Sequence, residues 1–411
     1  MKFIAAFLVA ILAAPAAVRA DDWPQWGGPK RDFKSVSTGL AAKWPESGPK
    51  KLWSRELGDG YSTVSVARGR LYTMFRRGNQ DVVAALEAAS GKTAWEFAYD
   101  AALGPRQDNT YGPGPHSAPL VSGDQVFTVG ATGILHALDR TSGNKQWSHD
   151  LIGEYKGYLR PNGYNCSPIA YKDLVIMLVG GPDASVMAFH KKDGSVAWKK
   201  HSFQTGNSSP ILIRFDGQDQ LVAAMFGELV GLDPATGDLL WSHPMKVEWG
   251  LNVSTPVWGE DNLIFVSAGY DSGSRAIRLK RDGAKTVPEE LWYSRLMRVH
   301  FGNAIRIGDT VYGSSGDFGP APLTAVDVKS GQILWRNRGL SRASFVYADD
   351  KLIAVDEDGH IALITVTPQG ATVVSKVQVL DRVAWTAPTL VGATLYIRDR
   401  KQLVALDLKG P

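Results

Sequence analysis

The feature that most constrains this chain is a short motif that ends in tryptophan and recurs along most of its length. A small residue, an apolar residue and a polar, mostly acidic residue come first, and a glycine follows that precedes the tryptophan by four positions. The clear copies are Ala85–Trp95, Ala137–Trp147, Ala188–Trp198, Gly231–Trp241 and Ala325–Trp335. A motif repeated this regularly predicts one structural unit used many times.

Each copy predicts a β-hairpin. An apolar strand ends at the acidic residue, whose short side chain can cap a turn. The glycine supplies the positive φ that closes the turn, and a second strand carries the tryptophan. Another hairpin pattern precedes each motif, as in Ala118–Val129. Together these patterns predict four short antiparallel strands per unit.

Weaker copies bring the number of units to eight. Trp292 follows a longer, irregular turn, Val374 stands where a tryptophan is expected, and Trp53 lacks the strand that should precede it. The eight positions recur at intervals of roughly 40 to 50 residues, which is typical of propeller blades. A single four-stranded sheet cannot bury both faces, so neighbouring blades must cover each other.

The two ends of the chain predict how the ring closes. The last motif, Val404–Asp407, has no tryptophan strand after it, whereas Trp53 has no partner before it. Pairing Lys51–Leu57 with Leu403–Leu408 completes one blade and removes a free edge. A parallel β-helix is the alternative, but its repeats are shorter. We therefore predict an all-β, eight-bladed β-propeller over residues 51–411, preceded by an N-terminal extension over residues 21–50.

The first twenty residues resemble a secretory signal peptide. Lys2 precedes an apolar run from Phe3 to Val18, and Val18-Arg19-Ala20 forms a small-x-small cleavage site. The alternative is a membrane anchor, but this run is short and Pro15 interrupts it. We expect export to the periplasm or the exterior, and no transmembrane segment after residue 20.

Charge and cysteine content narrow the function. The chain has 45 basic and 41 acidic residues, a formal net charge of +4. This balance gives no electrostatic reason to expect nucleic acid or an acidic membrane as partner. Cys166 is the only cysteine, so a disulfide within the chain is excluded. We expect a monomer held together by apolar packing and strand pairing.

The A-L-D-x-x-T-G-x-x-x-W pattern resembles the repeat of the pyrroloquinoline quinone (PQQ)-like propeller family. The stretch Asp22–Pro29, DWPQWGGP, is similar to the W-P-Q-W/F-R-G-P sequence of exported bacterial members, although Gly27 replaces an arginine that is frequent there. The resemblance implies one of two activities. One branch of the family consists of quinoprotein dehydrogenases, which bind the quinone and Ca²⁺ in the central channel. The other is similar to the propeller lipoprotein of the outer-membrane β-barrel assembly machinery, which scaffolds protein contacts without catalysis.

The sequence favours the branch without catalysis. Many quinone dehydrogenases share a vicinal Cys-Cys pair, which one cysteine cannot form, and the haem motif C-x-x-C-H is absent. The acidic run Asp356–Asp358 lies where a hairpin turn is expected, and the eight histidines show no zinc-like spacing. We predict no catalytic residue, no metal and no cofactor. The alternative is a PQQ- and Ca²⁺-dependent alcohol or sugar oxidoreductase with a reduced site.

Aligning the first strand of each unit on its proline places one set of polar and aromatic residues around the mouth of the channel. These predicted ligand-binding residues are Tyr61, His116, Asn165, Asn207, Asn303, Arg342 and Trp385. We expect Trp385 to stack on a ligand, Arg342 to bind an anion and the asparagines to donate hydrogen bonds. The alternative is that the asparagines only cap strand ends and bind channel water.

Two long loops supply a second set of candidates. Arg106 and Tyr111 lie in one loop, and Tyr158 and Arg160 in the next. Tyrosine and arginine on exposed loops are typical of recognition surfaces. We therefore predict that an envelope protein or a small molecule binds at the channel mouth. Carbohydrate cleavage would require paired carboxylates about 5–10 Å apart, which a sequence cannot reveal.

Overall fold

A computed structural model describes residues 22–410 except Arg106, Asn109, Glu248, Trp249, Asp271, Phe318 and Arg382. The predicted signal peptide therefore lies outside the described residues. Within them the chain forms eight sheets of four antiparallel strands each. The predicted eight-bladed propeller is confirmed.

Seven blades consist of consecutive strands. Blade 1 contains β2 (Ser65–Ala67), β3 (Arg70–Arg77), β4 (Gln80–Glu87) and β5 (Thr93–Asp100). Blade 2 contains β6 (Leu120–Ser122), β7 (Gln125–Val129), β8 (Ile134–Asp139) and β9 (Lys145–Asp150). Blade 3 contains β10 (Ile169–Tyr171), β11 (Leu174–Gly181), β12 (Ala184–His190) and β13 (Val196–Lys200). Blade 4 contains β14 (Ile211–Phe215), β15 (Gln218–Ala224), β16 (Gly227–Leu232) and β17 (Leu239–Met245).

The next three blades follow the same plan. Blade 5 contains β18 (Val257–Gly259), β19 (Leu263–Ala268), β20 (Gly273–Asp282) and β21 (Lys285–Ser294), with a 3₁₀ turn at Glu260–Asn262. Blade 6 contains β22 (Val299–Ile307), β23 (Thr310–Ser315), β24 (Leu323–Asp327) and β25 (Ile333–Asn337). Blade 7 contains β26 (Ala343–Ala348), β27 (Lys351–Asp356), β28 (His360–Thr367) and β29 (Gly370–Gln378).

Blade 8 joins the two ends of the chain. It contains β30 (Thr389–Val391), β31 (Thr394–Arg398), β32 (Gln402–Asp407) and, as its outermost strand, β1 (Lys50–Glu56). Strands β1 and β32 are antiparallel, and Trp53 lies opposite Ala405. The predicted ring closure is therefore confirmed, and the β-helix alternative is excluded.

The tryptophan of each clear motif lies on the outermost strand of its blade, directly opposite a small residue of the third strand. Trp95 pairs with Ala85, and Trp241 with Gly231, and a β-bulge follows each small residue. The small residue of the third strand leaves room for the indole opposite it. The bulge increases the local twist. This pairing explains why the motif begins with alanine or glycine.

The indole also contacts the turn of the next blade. Trp147 donates a hydrogen bond from Nε1 to the Lys191 carbonyl at 2.8 Å, and its ring covers Gly194. The same bond links Trp53 to Ala88, Trp95 to Arg140, Trp292 to Val328 and Trp335 to Thr367. Apolar clusters fill the space between neighbouring blades, so the core is spread around the ring. A tryptophan thus fastens each of these five blades to the next, whereas Trp241 of blade 4 donates to Gln220 of its own blade.

The N-terminal extension takes over where this tryptophan is missing. At Val374 in β29 no indole is present, and Trp44 is instead buried in the cluster shared by blades 7, 8 and 1. The backbone N–H of Trp44 donates to Ser375 Oγ at 2.9 Å, and the N–H of Leu40 donates to Asp349 Oδ2 at 3.0 Å. The extension therefore fills the joint between blades 7 and 8, where the outer strand carries no tryptophan.

The contact between glycine and indole can be tested with a matched pair of substitutions. Gly194 and Gly217 both have φ near +77°, but a Cβ on Gly194 would lie 2.7 Å from the Trp147 ring, whereas nothing lies within 4 Å of one on Gly217. Gly217→Ala should lower the free energy of unfolding by about 1–2 kcal/mol, the cost of a left-handed alanine. Gly194→Ala should cost about 1–3 kcal/mol more, because the ring must move. Urea denaturation measures both, and equal losses would show that the indole does not constrain the turn.

Candidate functional site

The channel opens at one face into a cavity of about 520 Å³, which lies where the chain enters the first strand of each blade. Two long loops, 101–117 and 151–167, meet beside it, and the N–H of Asp108 donates to the Pro161 carbonyl at 2.7 Å. The cavity wall is formed by strand starts and loops of several blades. Its principal residues are Trp26, Tyr61, Tyr111, His116, Tyr158, Arg160, Asn165, Asn207, Val253, Tyr270, Phe301 and Trp385.

Most of the predicted ring meets at this cavity. Tyr61, His116, Asn165, Asn207 and Trp385 all line it. They come together because each precedes the innermost strand of its blade by a few residues. Serine and threonine residues that follow them join neighbouring blades, since Ser62 Oγ donates to the Ser117 carbonyl at 2.7 Å and Thr386 Oγ1 to the Tyr61 carbonyl at 3.3 Å.

Two predicted ring members are placed elsewhere. Asn303 is buried inside β22, where its side chain exchanges two hydrogen bonds with the backbone of Phe345. Arg342 lies behind the wall, where it forms an ion pair with Glu357 at 3.1 Å and donates to the Asp317 carbonyl. Neither lines the cavity, so the structure gives no support to Asn303 as a ligand donor or to Arg342 as an anion site.

The residues predicted on the loops surround the cavity mouth. Tyr111 and Tyr158 line it, and both are exposed to solvent. Arg160 also lines it but is largely buried, with its guanidinium donating to the carbonyls of Thr205 and Gly250. That guanidinium lies 5.5 Å from the centre of the Tyr158 ring and 6.0 Å from that of Phe226. Arg106 lies outside the described residues.

The most ordered part of the wall is a run of stacked rings that we call the aromatic arc: His116, Tyr61, Trp385, Phe301 and His300. Successive ring centres are 5.3, 5.6, 4.9 and 3.9 Å apart, and the interplanar angles are 7°, 26°, 16° and 27°. The arc joins blades 2, 1, 8 and 6. Phe301 and His300 were not predicted from the sequence, because β22 contains no proline on which to align its first strand.

Both ends of the arc are histidines: His300 is buried, and His116 is partly buried at the cavity wall. Burial lowers the pKa of His116 to about 4, with Asp59 opposing the shift and Arg398 adding to it. Burial together with the nearby Arg342 lowers the pKa of His300 to about 3. Both rings are therefore neutral at pH 7, and the arc carries no charge there.

The floor of the cavity comes from the N-terminal extension. The Trp23 backbone pairs with Val66 of blade 1, the indole of Trp26 donates to Thr255 of blade 5, and Phe33 bonds to Tyr347 of blade 7. Residues 22–35 therefore cross the channel and place Trp26 beneath the mouth. The sequence analysis noted Trp26 only for its family resemblance.

Arg31 anchors this crossing segment. It is almost completely buried, and its guanidinium donates to the carbonyls of Pro168 in blade 3 and Pro210 in blade 4. Burial lowers its pKa to about 9, which still leaves it charged at neutral pH. Backbone carbonyls at the starts of two first strands accept hydrogen bonds from this guanidinium. These bonds anchor the crossing segment inside the ring.

Charged groups close to the cavity are already engaged. Arg342 pairs with Glu357, which also accepts a hydrogen bond from Trp385 Nε1 at 3.0 Å, and Arg400 pairs with Asp59. Among residues 22–410 with the gaps given above, no group of three or more histidine, cysteine or acidic side chains is placed to hold a metal.

A quinone cofactor does not match this arrangement. An anionic planar quinone needs bare ring faces to stack on and free cations for its carboxylates. The stacked rings of the arc cover each other, and the nearest arginines are committed to Glu357, Asp59 and backbone carbonyls. The residues of the cavity therefore do not fit the group that quinoproteins use.

Comparison with known proteins gives a consistent result. A family profile described as outer membrane protein assembly factor BamB matches residues 40–199 and 80–337. The Yersinia pestis outer membrane protein assembly factor BamB is 27% identical over 303 residues, which cover 69% of this chain and 72% of that protein. A Pseudomonas aeruginosa quinoprotein ethanol dehydrogenase is 29% identical over 150 residues, but these cover only 32% of this chain and 23% of the enzyme.

The crystal structure of BamB from Moraxella catarrhalis superposes with a TM-score of 0.62 at 17% identity, covering 87% of this chain and 99% of that one. At that identity the likeness supports the fold. The family profile spans well over half of the chain, from Leu40 to Asn337. No helix among the described residues has the length and apolar character needed to cross a membrane.

The buried histidines predict a stability that falls in acid. Their folded pKa values lie below the ordinary 6.5, so the unfolded chain binds protons first as the pH drops. Between pH 6.5 and 5 each should cost at least about 1 kcal/mol of unfolding free energy. Urea denaturation at both pH values measures the loss, and His300→Gln should remove its share of the slope. A stability that is constant or higher at pH 5 would contradict the assignment.

Proposed function

Because the chain belongs to the family of outer membrane protein assembly factor BamB, we propose that it is an exported, non-catalytic propeller of the scaffold or assembly type. Its loop-rich face and channel mouth bind a partner of the cell envelope. The leader-like residues 1–20 support a location in the periplasm or outside the cell. We infer a monomer, because each blade is covered by its neighbours and the ring is closed.

The observation that carries this proposal is an apolar rim around a preformed cavity. Tyr111 is 54% exposed, Tyr158 is 39% exposed and Phe226 is 43% exposed. They come from three separate loops, yet Tyr111 and Tyr158 line one mouth, and Phe226 joins them through Arg160. Exposed aromatic residues with arginine are typical of the energetic centres of protein interfaces.

Hydrogen bonds beneath the exposed rings of this rim fix their positions, which supports a role in binding. The Tyr61 hydroxyl donates to the Tyr111 carbonyl at 2.6 Å, which fixes the backbone beneath the exposed Tyr111 ring. Arg160 is fixed in the same way by carbonyls of two blades. Side chains held on a rigid base lose little conformational entropy when a partner binds. The rim is therefore built to remain exposed in one arrangement.

The oxidoreductase alternative has less support. The quinoprotein relatives match part of the chain, and the engaged arginines and covered ring faces leave no evident seat for a quinone. Among the described residues, no three histidine, cysteine or acidic side chains are grouped to hold a metal ion. A scaffold protein needs neither a quinone nor Ca²⁺, since shape complementarity and apolar contact are sufficient to bind a partner.

Substitution of the rim tests the proposal. The combined variant Tyr111→Ser, Tyr158→Ser and Phe226→Ser should reduce recovery of cross-linked envelope partners at least tenfold, because three interface aromatics are lost. The matched control is Val196→Ser with Leu239→Ser, which removes exposed apolar side chains from the outer strands β13 and β17. Quantitative mass spectrometry after cross-linking measures recovery. Equal losses in both variants, or none in the rim variant, would refute a partner site at the mouth.

Addition of PQQ and Ca²⁺ to the purified mature chain tests the alternative. We expect no change in quinone absorbance and no dye reduction with alcohols or sugars, because the arginines at the cavity are bonded to carboxylates or backbone carbonyls and the rings of the aromatic arc stack on one another. Calorimetry with the quinone checks binding independently of turnover. Saturable quinone binding accompanied by dye reduction would overturn the non-catalytic assignment.

A further inference from the structure

We propose that the cavity takes an uncharged aromatic ring, carried as a side chain on an extended segment of the partner polypeptide. The inference rests on the proposed function, because it names the chemical group that the channel mouth recognises. The ring seats against the edges of the aromatic arc, above the floor formed by Trp26. Three features of the cavity lead to this assignment: the orientation of its rings, its lack of free charge and its continuity with the rim.

The orientation of the arc decides which ligand groups it can contact. Tyr61 lies between His116 and Trp385, and Trp385 lies between Tyr61 and Phe301. Phe301 is flanked in turn by Trp385 and His300, with the Arg342 guanidinium 5.3 Å from its ring centre. Each of the three central rings therefore stacks on two partners. We infer that a ligand in the cavity meets chiefly the edges of these rings.

Ring edges and ring faces prefer different ligands. An aromatic edge carries partial positive charge, so it attracts the negative face of another aromatic ring in an edge-to-face pair. A sugar ring stacks its C–H groups on bare aromatic faces, which the arc does not offer. A saturated hydrocarbon gains from burial alone and has no negative face to present. The arc therefore favours an aromatic ring over a sugar or an aliphatic group of equal size.

The charges around the cavity point to an uncharged ligand. Arg342 and Glu357 satisfy each other, as do Arg400 and Asp59, and His116 is neutral at pH 7. The wall also carries the amides of Asn165 and Asn207. Its two charged residues are bonded within the chain, Arg160 to the carbonyls of Thr205 and Gly250 and Asp108 to Thr110. Burying a charged ligand group here would leave it without a matching partner, at a high desolvation cost. The amides match the N–H and C=O groups of a peptide backbone.

The size and surroundings of the cavity indicate that the ring arrives on a polypeptide. About 520 Å³ lies within the range of small-ligand pockets and holds one aromatic side chain with its backbone. The apolar rim of Tyr111, Tyr158 and Phe226 continues outward from the mouth, beyond the reach of a single ring. A free aromatic molecule would leave that rim uncovered, whereas an extended segment would cover both.

Peptides that differ only in ring character test the assignment. The probes are Ac-Gly-Ser-X-Ser-Gly-NH2, with X as phenylalanine or cyclohexylalanine, and N-acetylphenylalanine amide as the free ring, each titrated into the full mature chain by calorimetry. An edge-to-face pair is worth about 0.5–1.5 kcal/mol, so the phenylalanine peptide should bind about 2- to 13-fold more tightly than the cyclohexylalanine peptide. It should also bind more tightly than the free amide. Equal or weaker binding of the phenylalanine peptide relative to cyclohexylalanine would overturn the assignment, and stronger binding of the free amide would overturn the polypeptide carrier.

A cavity-filling variant locates the binding. Val253 lines the cavity outside the arc, and Val253→Phe should reduce affinity for the phenylalanine peptide at least tenfold by occupying the space. Val196→Phe, on the exposed face of β13, is the control for added hydrophobicity, and thermal unfolding verifies that both variants fold. Unchanged affinity in Val253→Phe would place the peptide elsewhere and refute the proposal.

The outcomes separate this inference from the proposed function. Loss of envelope partners in the rim variant, together with equal binding of the two peptides, would leave the scaffold function standing and remove the aromatic preference. A clear phenylalanine preference with unchanged partner recovery in the rim variant would support the aromatic preference and refute the partner site at the mouth.

Discussion

The ring depends on an indole that lies across a glycine turn of the next blade. Trp147 contacts Gly194 and bonds to the Lys191 carbonyl, and Trp53, Trp95 and Trp292 repeat the same geometry at their joints. The contact requires three things at once: a small residue opposite the indole, a turn in the left-handed conformation and a carbonyl that points outward. Since every requirement involves a local residue, the motif repeats in sequence as regularly as the blades repeat in space.

The functional mouth follows from that arrangement. When blades are fastened at their outer strands, their innermost strands converge, and the residues just before them are brought to one opening. Serine and threonine side chains then join neighbouring strand starts, as Ser62 does with Ser117. The aromatic arc is thus held in place by the ring. The proposed recognition would use side chains that already pack against one another.

The sequence predicts the fold more completely than the site, for physical reasons. Blade number and closure follow from a local motif, whereas the mouth depends on where each first strand begins. Proline marks that point in blades 2, 3, 4 and 8, where His116, Asn165, Asn207 and Trp385 line the cavity. Blades 1, 6 and 7 lack the proline. Tyr61 of blade 1 still lines the cavity, but the positions chosen in blades 6 and 7, Asn303 and Arg342, do not. Strand β22 instead begins at Val299, which gives the position to Phe301 and buries Asn303 against Phe345.

The floor of the cavity could not be predicted by aligning the repeats, because the N-terminal extension that forms it belongs to no repeat. Its path is set by contacts with distant parts of the chain, such as Arg31 with Pro168 and Pro210. The same extension places Trp26 beneath the mouth, fills the joint at Val374 with Trp44 and continues into β1, which completes blade 8. The floor of the site and the closing strand of the ring are therefore one continuous segment. A ring that opened at blade 8 would release the strand from which this segment runs, so the proposed recognition at the mouth would depend on the closure of the fold.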